Sequence, residues 1–230
     1  MNKLTFSIDK EIFKKHPGFR RAIIIARNAQ NKGDLTSQID EQIEAVKTLD
    51  PEDARLTAWR EAFAIEGIKV RDFRPSIIAL VKRIQADKPL GSINTIVDIG
   101  TIVSLKFVLP AGAHPILPDT AHVSLERADG NEVDITLDSK TEMVPKAEIV
   151  LKDNGRLATR RWVWRQTPLS RIDNKTTDFF LNIDALSVTD DETLEQAIQF
   201  SQALIQTTFG VETAAIILSK EKSSGEVTLN

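Results

Sequence analysis

Between Arg156 and Lys175 this 230-residue chain carries six basic side chains, Arg156, Arg160, Arg161, Arg165, Arg171 and Lys175, against one acid, Asp173. Two of its three tryptophans, Trp162 and Trp164, fall in the same stretch. Guanidinium groups grip phosphate and carboxylate oxygens through forked hydrogen bonds, and indole rings beside them offer faces on which bases stack. The cluster therefore reads as a surface for an anionic ligand, nucleic acid among the candidates. It reads equally as a core tryptophan pair rimmed by solvated arginines, and residue types alone leave both open. The formal net charge of −3 sets the cluster against the average of the chain. A general nucleic-acid coat is excluded on that balance; a local basic groove is not.

Other catalytic constellations are missing. There is no cysteine, so disulfides, thiol nucleophiles and cysteine-zinc sites are excluded. The three histidines, His16, His114 and His122, lack metal-ligand spacing. No phosphate-binding glycine loop and no nucleophile elbow occurs, and no Ser-His-Asp set follows from spacing. Asp98 is a lone carboxylate among Ile96, Val97 and Ile99. A buried carboxylate needs partners, so Asp98 reads as a structural acceptor rather than a general base. Leu109-Pro110-Ala111-Gly112-Ala113-His114-Pro115 is a compact loop of small residues where a ligand can approach the backbone closely.

The elements that must position these residues follow from periodicity. Leu4, Phe6 and Ile8 alternate as a half-buried strand, and Ala22 to Ala26 reads as a fully buried one. Leu35, Ile39, Ile43 and Val46 mark an amphipathic helix. Leu56, Trp59 and Phe63 mark a second, with Trp59 in the core, and Ile77 to Ile84 a third. Ile93 to Val103 fits helix and strand equally. Asp129-Gly130 predicts a hairpin from Val123 and Leu125 back through Val133, Ile135 and Leu137. Asn154-Gly155 predicts another, from Glu148–Leu151 to a strand over Leu157–Arg165. In that strand Arg160, Trp162 and Trp164 would share one face. Phe179 to Ile183 is a strand, a helix runs from about Asp190 to Gly210, and Thr213 to Leu218 is a last strand. Residues 219–230 read as a frayed polar tail. No run approaches the roughly 18 apolar residues of a membrane span, and Met1 to Lys10 lacks the apolar core of a signal peptide. A soluble, cytoplasmic α+β protein is expected.

Several motifs occur in a telling order: Arg74-Pro75-Ser76-Ile77, Lys88-Pro89-Leu90, Ser92-Ile93-Asn94-Thr95-Ile96-Val97-Asp98-Ile99, Val103-Ser104-Leu105-Lys106, Leu109-Pro110-Ala111-Gly112, Arg161-Trp162-Val163-Trp164-Arg165-Gln166 and Thr176. Together they resemble the B3/B4 domain of the phenylalanyl-tRNA synthetase beta subunit, and more closely the free-standing proteins that carry this domain behind a short N-terminal extension. The resemblance implies a mixed β-sheet core flanked by helices over residues 74–218, with a mainly helical α/β extension, residues 1–73, packed on it. It implies a trans-editing factor that hydrolyses the ester of misacylated tRNA, an aminoacyl-tRNA deacylase in translation quality control, and not an aminoacyl-tRNA ligase. The partner would be the tRNA acceptor end, with no membrane, cofactor or metal involved.

Carried onto this chain, Asn94, Gly112, His114 and Thr176 become the catalytic candidates. Arg161, Trp162, Trp164, Arg165, Gln166, Arg171 and Lys175 become the substrate- and RNA-binding candidates. The synthetase pattern has a histidine where this chain has Gly112, and His114 lies two residues on. A second departure is Gly100-Thr101 after Asp98, so phenylalanine-related specificity does not transfer. The alternatives are a non-catalytic tRNA- or RNA-binding module and a small-molecule binder that retains the pocket.

Overall fold

The computed structural model describes residues 3–135 and 140–228. In chain order the elements are β1 (Leu4–Ile8), α1 (Lys10–Lys15), β2 (Arg20–Ala26), α2 (Thr36–Lys47), α3 (Ala54–Ile65), α4 (Ser76–Gln85), α5 (Thr95–Phe107), β3 (Ala111–Pro115), β4 (His122–Arg127), β5 (Val133–Ile135) and β6 (Thr141–Met143). They continue with β7 (Ile149–Asp153), β8 (Arg156–Arg160), β9 (Arg165–Gln166), a 3-10 turn at Pro168–Ser170, β10 (Phe179–Ala185), α6 (Asp191–Phe209), β11 (Thr213–Leu218) and β12 (Ser224–Val227).

Two sheets make the α+β core. The larger has the order β12-β1-β4-β7-β8-β9 and is mixed, with β1 and β4 parallel and the other pairs antiparallel. The smaller is antiparallel, in the order β11-β2-β10-β3. Alternation along β2 and β10 gives the smaller sheet two buried faces. Ala22, Ile24, Phe179, Leu181 and Ile183 join Ile99, Ile102, Leu194 and Ile198 of α5 and α6 in one core. Ile23, Ile25 and Phe180 turn the other way and join Phe6, Val123, Leu151, Trp59 and Ile77 in a second core between the sheets.

The ambiguous segment after Ile93 is helical. Asn94 caps α5 by accepting from the Val97 N–H at 3.1 Å, and nine of the thirteen residues of α5 are buried. Asp98 is the structural acceptor its surroundings require, taking hydrogen bonds from the Ile93 N–H and the Ser92 hydroxyl. Gly100 lets this helix lie against β3: a Cβ there would stand 3.8 Å from the Ala113 nitrogen and 4.0 Å from the Ala111 oxygen.

The structure corrects several local expectations. Residues 111–115 form strand β3 on β10 rather than a loop. The polar tail is not frayed through its described part, because β12 pairs with β1, Leu4 opposite Val227. Main-chain groups along an open sheet edge need partners regardless of side-chain polarity, which the sequence pattern does not reveal. The Val133 strand pairs with Thr141–Met143, not with β4, which takes β7 instead; Leu137 lies outside the described residues. The first 73 residues supply β1 to one sheet and β2 to the middle of the other.

Candidate functional site

The hairpin at Asn154-Gly155 forms as expected, with φ of 47° and 78° at its two central residues. Its second strand stops early. Arg161 and Trp162 both adopt left-handed backbone, φ 44° and 63°, and the chain turns back so that Gln166 lies opposite Thr159. Arg160, Trp162 and Trp164 therefore do not share a face. Such backbone costs about 1–3 kcal/mol per residue, and burial of a large aromatic ring offsets it. Trp162 is 1% exposed, with ring centroids of His16, Phe19 and Trp59 at 4.8, 4.9 and 5.1 Å. Anchoring bonds complete the turn: the Trp162 N–H donates to the Ile149 carbonyl, the Arg161 N–H to Glu148 Oε1, and the Ser76 N–H to the Val163 carbonyl.

Most of the basic cluster is neutralised within the fold. Arg160 donates to Glu148 at 2.6 Å and Asp134 at 2.8 Å, and its side chain is 1% exposed. Arg165 also pairs with Asp134, and Arg156 with Asp119 and Asp153. Arg171 and Lys175 are exposed, and neither forms a salt bridge among the described residues.

Between β3, the start of α4, α5 and the 162–166 turn lies a cavity of about 360 Å³. Six of the expected site residues line it: Gly112, His114, Trp162, Trp164, Arg165 and Gln166. The others do not. Arg171, Lys175 and Thr176 line a separate cleft of about 460 Å³, and Thr176 is tied to Asp173 through its hydroxyl. Asn94 lies outside both: its side-chain oxygen caps α5 and also accepts from Asn31 Nδ2. Arg161 points to a third cleft on the far side of the turn. Of the two tryptophans Trp164 is the half-buried one, packed edge-on to Phe73 at 4.8 Å.

One wall of the cavity is a buried polar chain that the sequence reading passed over. Arg21 on β2 makes a forked pair with Asp184 on β10 at 2.6 and 2.7 Å. Asn182 Nδ2 donates to Asp184 at 3.4 Å. The carboxylate can only accept, so the amide nitrogen faces it and Asn182 Oδ1 faces His114 Nε2, 2.8 Å away. His114 thus carries its proton on Nε2, and Nδ1 accepts from the Ser170 hydroxyl at 2.6 Å. Its ring stacks on Phe180 at 4.8 Å. Burial, reinforced by the Arg21 charge, pushes the His114 pKa down to about 3, and the Asn182 bond restores only part. A signal was there to be read: Asn182 and Asp184 are period-2 polar residues inside the apolar run Phe179–Ala185.

Ser170, His114 and Asn182 superficially line up as nucleophile, base and orienting group. Ser170 is 3% exposed and does not line the cavity, and burial beside Arg21, which pushes the His114 pKa down to about 3, makes the imidazole too weak a base to take the serine proton. That excludes the arrangement as an activated serine in this conformation. What faces the cavity is Gly112. A Cβ there would meet Asn182 Oδ1 and His114 Nε2 at 3.6 Å and Gln166 Nε2 at 3.8 Å. Gln166 is fixed by donating to the Ala113 carbonyl at 2.7 Å. Because β3 is an edge strand, its outward main-chain groups at Ala111 and Ala113 have no partner strand; Ser104 Oγ takes the Ala111 N–H. Thr159 Oγ1, Trp162 Nε1 and Arg165 Nε, on residues of the facing wall, are buried without partners among the described residues. Among those residues no cluster could hold a metal ion, and no helix is long and apolar enough to cross a membrane.

A family model described as the B3/4 domain matches residues 58–210, which includes every cavity-lining residue except Arg21. The chain belongs to the B3/4 domain family. Among solved structures it is similar to an N-terminal fragment of the phenylalanyl-tRNA synthetase beta-subunit from Pyrococcus horikoshii, with 11% identity and a TM-score of 0.49. That comparison covers 93% of this chain and 54% of the fragment, so the chain spans about half the fragment's length. No curated protein matches the chain in sequence. The B3/4 match begins inside α3, upstream of Arg74, and strands β1 and β2 precede it.

Proposed function

We propose that this B3/4 protein hydrolyses the ester of misacylated tRNA, acting at the Gly112 cavity. The observation that carries the reading is the cavity floor, where an uncovered glycine backbone is ringed by three fixed polar groups, Asn182, His114 and Gln166. An aminoacyl ester is activated, so positioning and fixed dipoles suffice for most of the rate. The acyl group would rest on Gly112, with its carbonyl polarised from the Ala113 edge and a water held by Gln166. Water oxygen bonds to the acyl carbon, the bond to the ribose oxygen breaks, and the water proton ends on that oxygen, relayed through the neighbouring ribose hydroxyl. Exposed Arg171 and Lys175, in the separate cleft of about 460 Å³, would take acceptor-end phosphates. Trp164 supplies the half-buried ring on which a base could stack.

A second reading, a tRNA-binding module without chemistry, draws on one specific observation. No carboxylate lines the cavity, and its one histidine is neutral with both nitrogens occupied.

Release of amino acid from a panel of correctly and incorrectly charged tRNAs separates the two. The hydrolase releases one mischarged pair selectively, and Gln166→Ala abolishes that while still folding. Salt-sensitive tRNA binding with no release from any pair establishes the binding module instead. Absence of both removes the RNA readings.

A further inference from the structure

The outer side of the Arg161–Trp164 turn borders a cleft of about 530 Å³ that shares no lining residue with the Gly112 cavity. Its walls carry the cations Lys15, Lys69, Arg127, Lys146 and Arg161 and the carboxylates Glu66, Asp72 and Glu148. The carboxylates are already engaged. Glu66 accepts from His16 at 2.8 Å and from the Arg127 fork at 2.5 and 3.0 Å, with Lys15 at 3.6 Å. Burial pushes Glu66 up, yet these partners outweigh it and hold the carboxyl at about 2. Glu148 accepts from Arg160 at 2.6 and 3.2 Å and from the Arg161 N–H at 3.0 Å. Asp72 faces Arg71 at 3.3 Å.

Two cations are left over and a third is only loosely paired. Lys69 and Lys146 are exposed and form no ion pair among the described residues. Arg161 has a buried Nη1 with no partner, and its closest carboxylate contact is 3.6 Å, from Nε to Glu148. Its guanidinium is held rigidly, 3.7 Å from the Phe73 ring centroid and 4.8 Å from that of Trp164. Burial pushes the Arg161 pKa down, and attraction from Glu148 does not restore it, as expected of a cation short of negative charge. The wall backbone is strained as well: Ala147 has φ 67° and Arg161 φ 44°. Arg127 pins the first by donating to the Ala147 carbonyl at 3.0 Å. Strain held in place by surrounding bonds is a feature of ligand sites.

We propose that this cleft is a separate anion site that binds a phosphate monoester between Arg161, Lys69 and Lys146. Two unpaired lysines and a loosely paired guanidinium suit the near-dianionic charge of a monoester better than a carboxylate or a phosphodiester. The planar guanidinium, held in place by the Phe73 and Trp164 rings, supplies a charge-assisted donor to a phosphoryl oxygen.

The test titrates the intact protein with inorganic phosphate and with ribose 5-phosphate at constant ionic strength. Thermal unfolding and the side-chain ¹⁵N signal of Arg161 are read together, in wild type and in the Lys69→Ala/Lys146→Ala double variant. Both lysines are exposed, so the variant keeps its fold, as circular dichroism would verify. Saturable stabilisation with movement of the Arg161 signal, weakened about tenfold or more in the variant, is expected from the loss of charge-assisted contacts. An unsaturable response, or equal affinity in the variant, overturns the proposal. So does acetate matching phosphate, or preference for an RNA oligomer lacking a terminal phosphate.

Discussion

Lowering the pH from 7 to 5 challenges the assignment of His114 as a neutral hydrogen-bond relay. The free imidazole titrates near 6.5, whereas burial beside Arg21 holds His114 at about 3 in the fold. The unfolded chain therefore takes the proton first. The stability that depends on neutral His114 is complete above about pH 6.5 and is lost as pH falls from there toward 3. The slope approaches ~1.4 kcal/mol per pH unit, so the loss between pH 7 and pH 5 is about 2 kcal/mol. Glu66 and Glu132, each held at about 2 against an ordinary 4.5, weaken the fold only below about pH 4.5 and leave this window clear. Urea unfolding at both pH values, for wild type and His114→Gln, isolates the contribution of this ring from the other two histidines. Nitrogen-15 spectra of the His114 ring report its protonation directly. A ring that titrates near 6.5, or equal pH sensitivity in the two proteins, would refute the relay and restore His114 as a candidate base.

Trp162→Ala should cost about 3–5 kcal/mol in chemical denaturation, because it empties the space between His16, Phe19 and Trp59. Trp164→Ala, at a half-buried site, should cost clearly less. Gly112→Ala places a methyl at ordinary contact distance from its polar neighbours. It should change stability by less than about 1 kcal/mol while amino acid release from mischarged tRNA falls at least about tenfold, a 1.4 kcal/mol loss. Arg21→Met leaves the Asp184 carboxylate buried without its partner and should cost about 3–5 kcal/mol. The double replacement Arg21→Met/Asp184→Leu should recover much of that loss, as thermal unfolding of the three proteins would show.

Local structure was legible where the determining signal lies within a few residues. Asn154-Gly155 specified its turn because two adjacent left-handed positions suit those residues. The alternation of Leu4, Phe6 and Ile8 and the apolar stripes of α2 and α4 named their buried faces. The ordered motifs from Arg74 to Thr176 were enough for the family, which the match over residues 58–210 shows. They also selected six residues that line one cavity.

The rest depended on partners distant in sequence. Arg160 and Arg165 look like free cations until Asp134, 26 and 31 positions away, takes both. Arg21 meets Asp184 across 163 positions, and that pair anchors the polar chain to His114. Trp162 and Trp164 part company because the backbone reverses at Arg161, a conformation stabilised by an aromatic box assembled from residues 16, 19 and 59. Charge compensation and aromatic burial are properties of neighbours in space. The sequence by itself determined the elements, the family and a set of candidates; only the tertiary structure decided which cations are spent on the fold and which face a cleft.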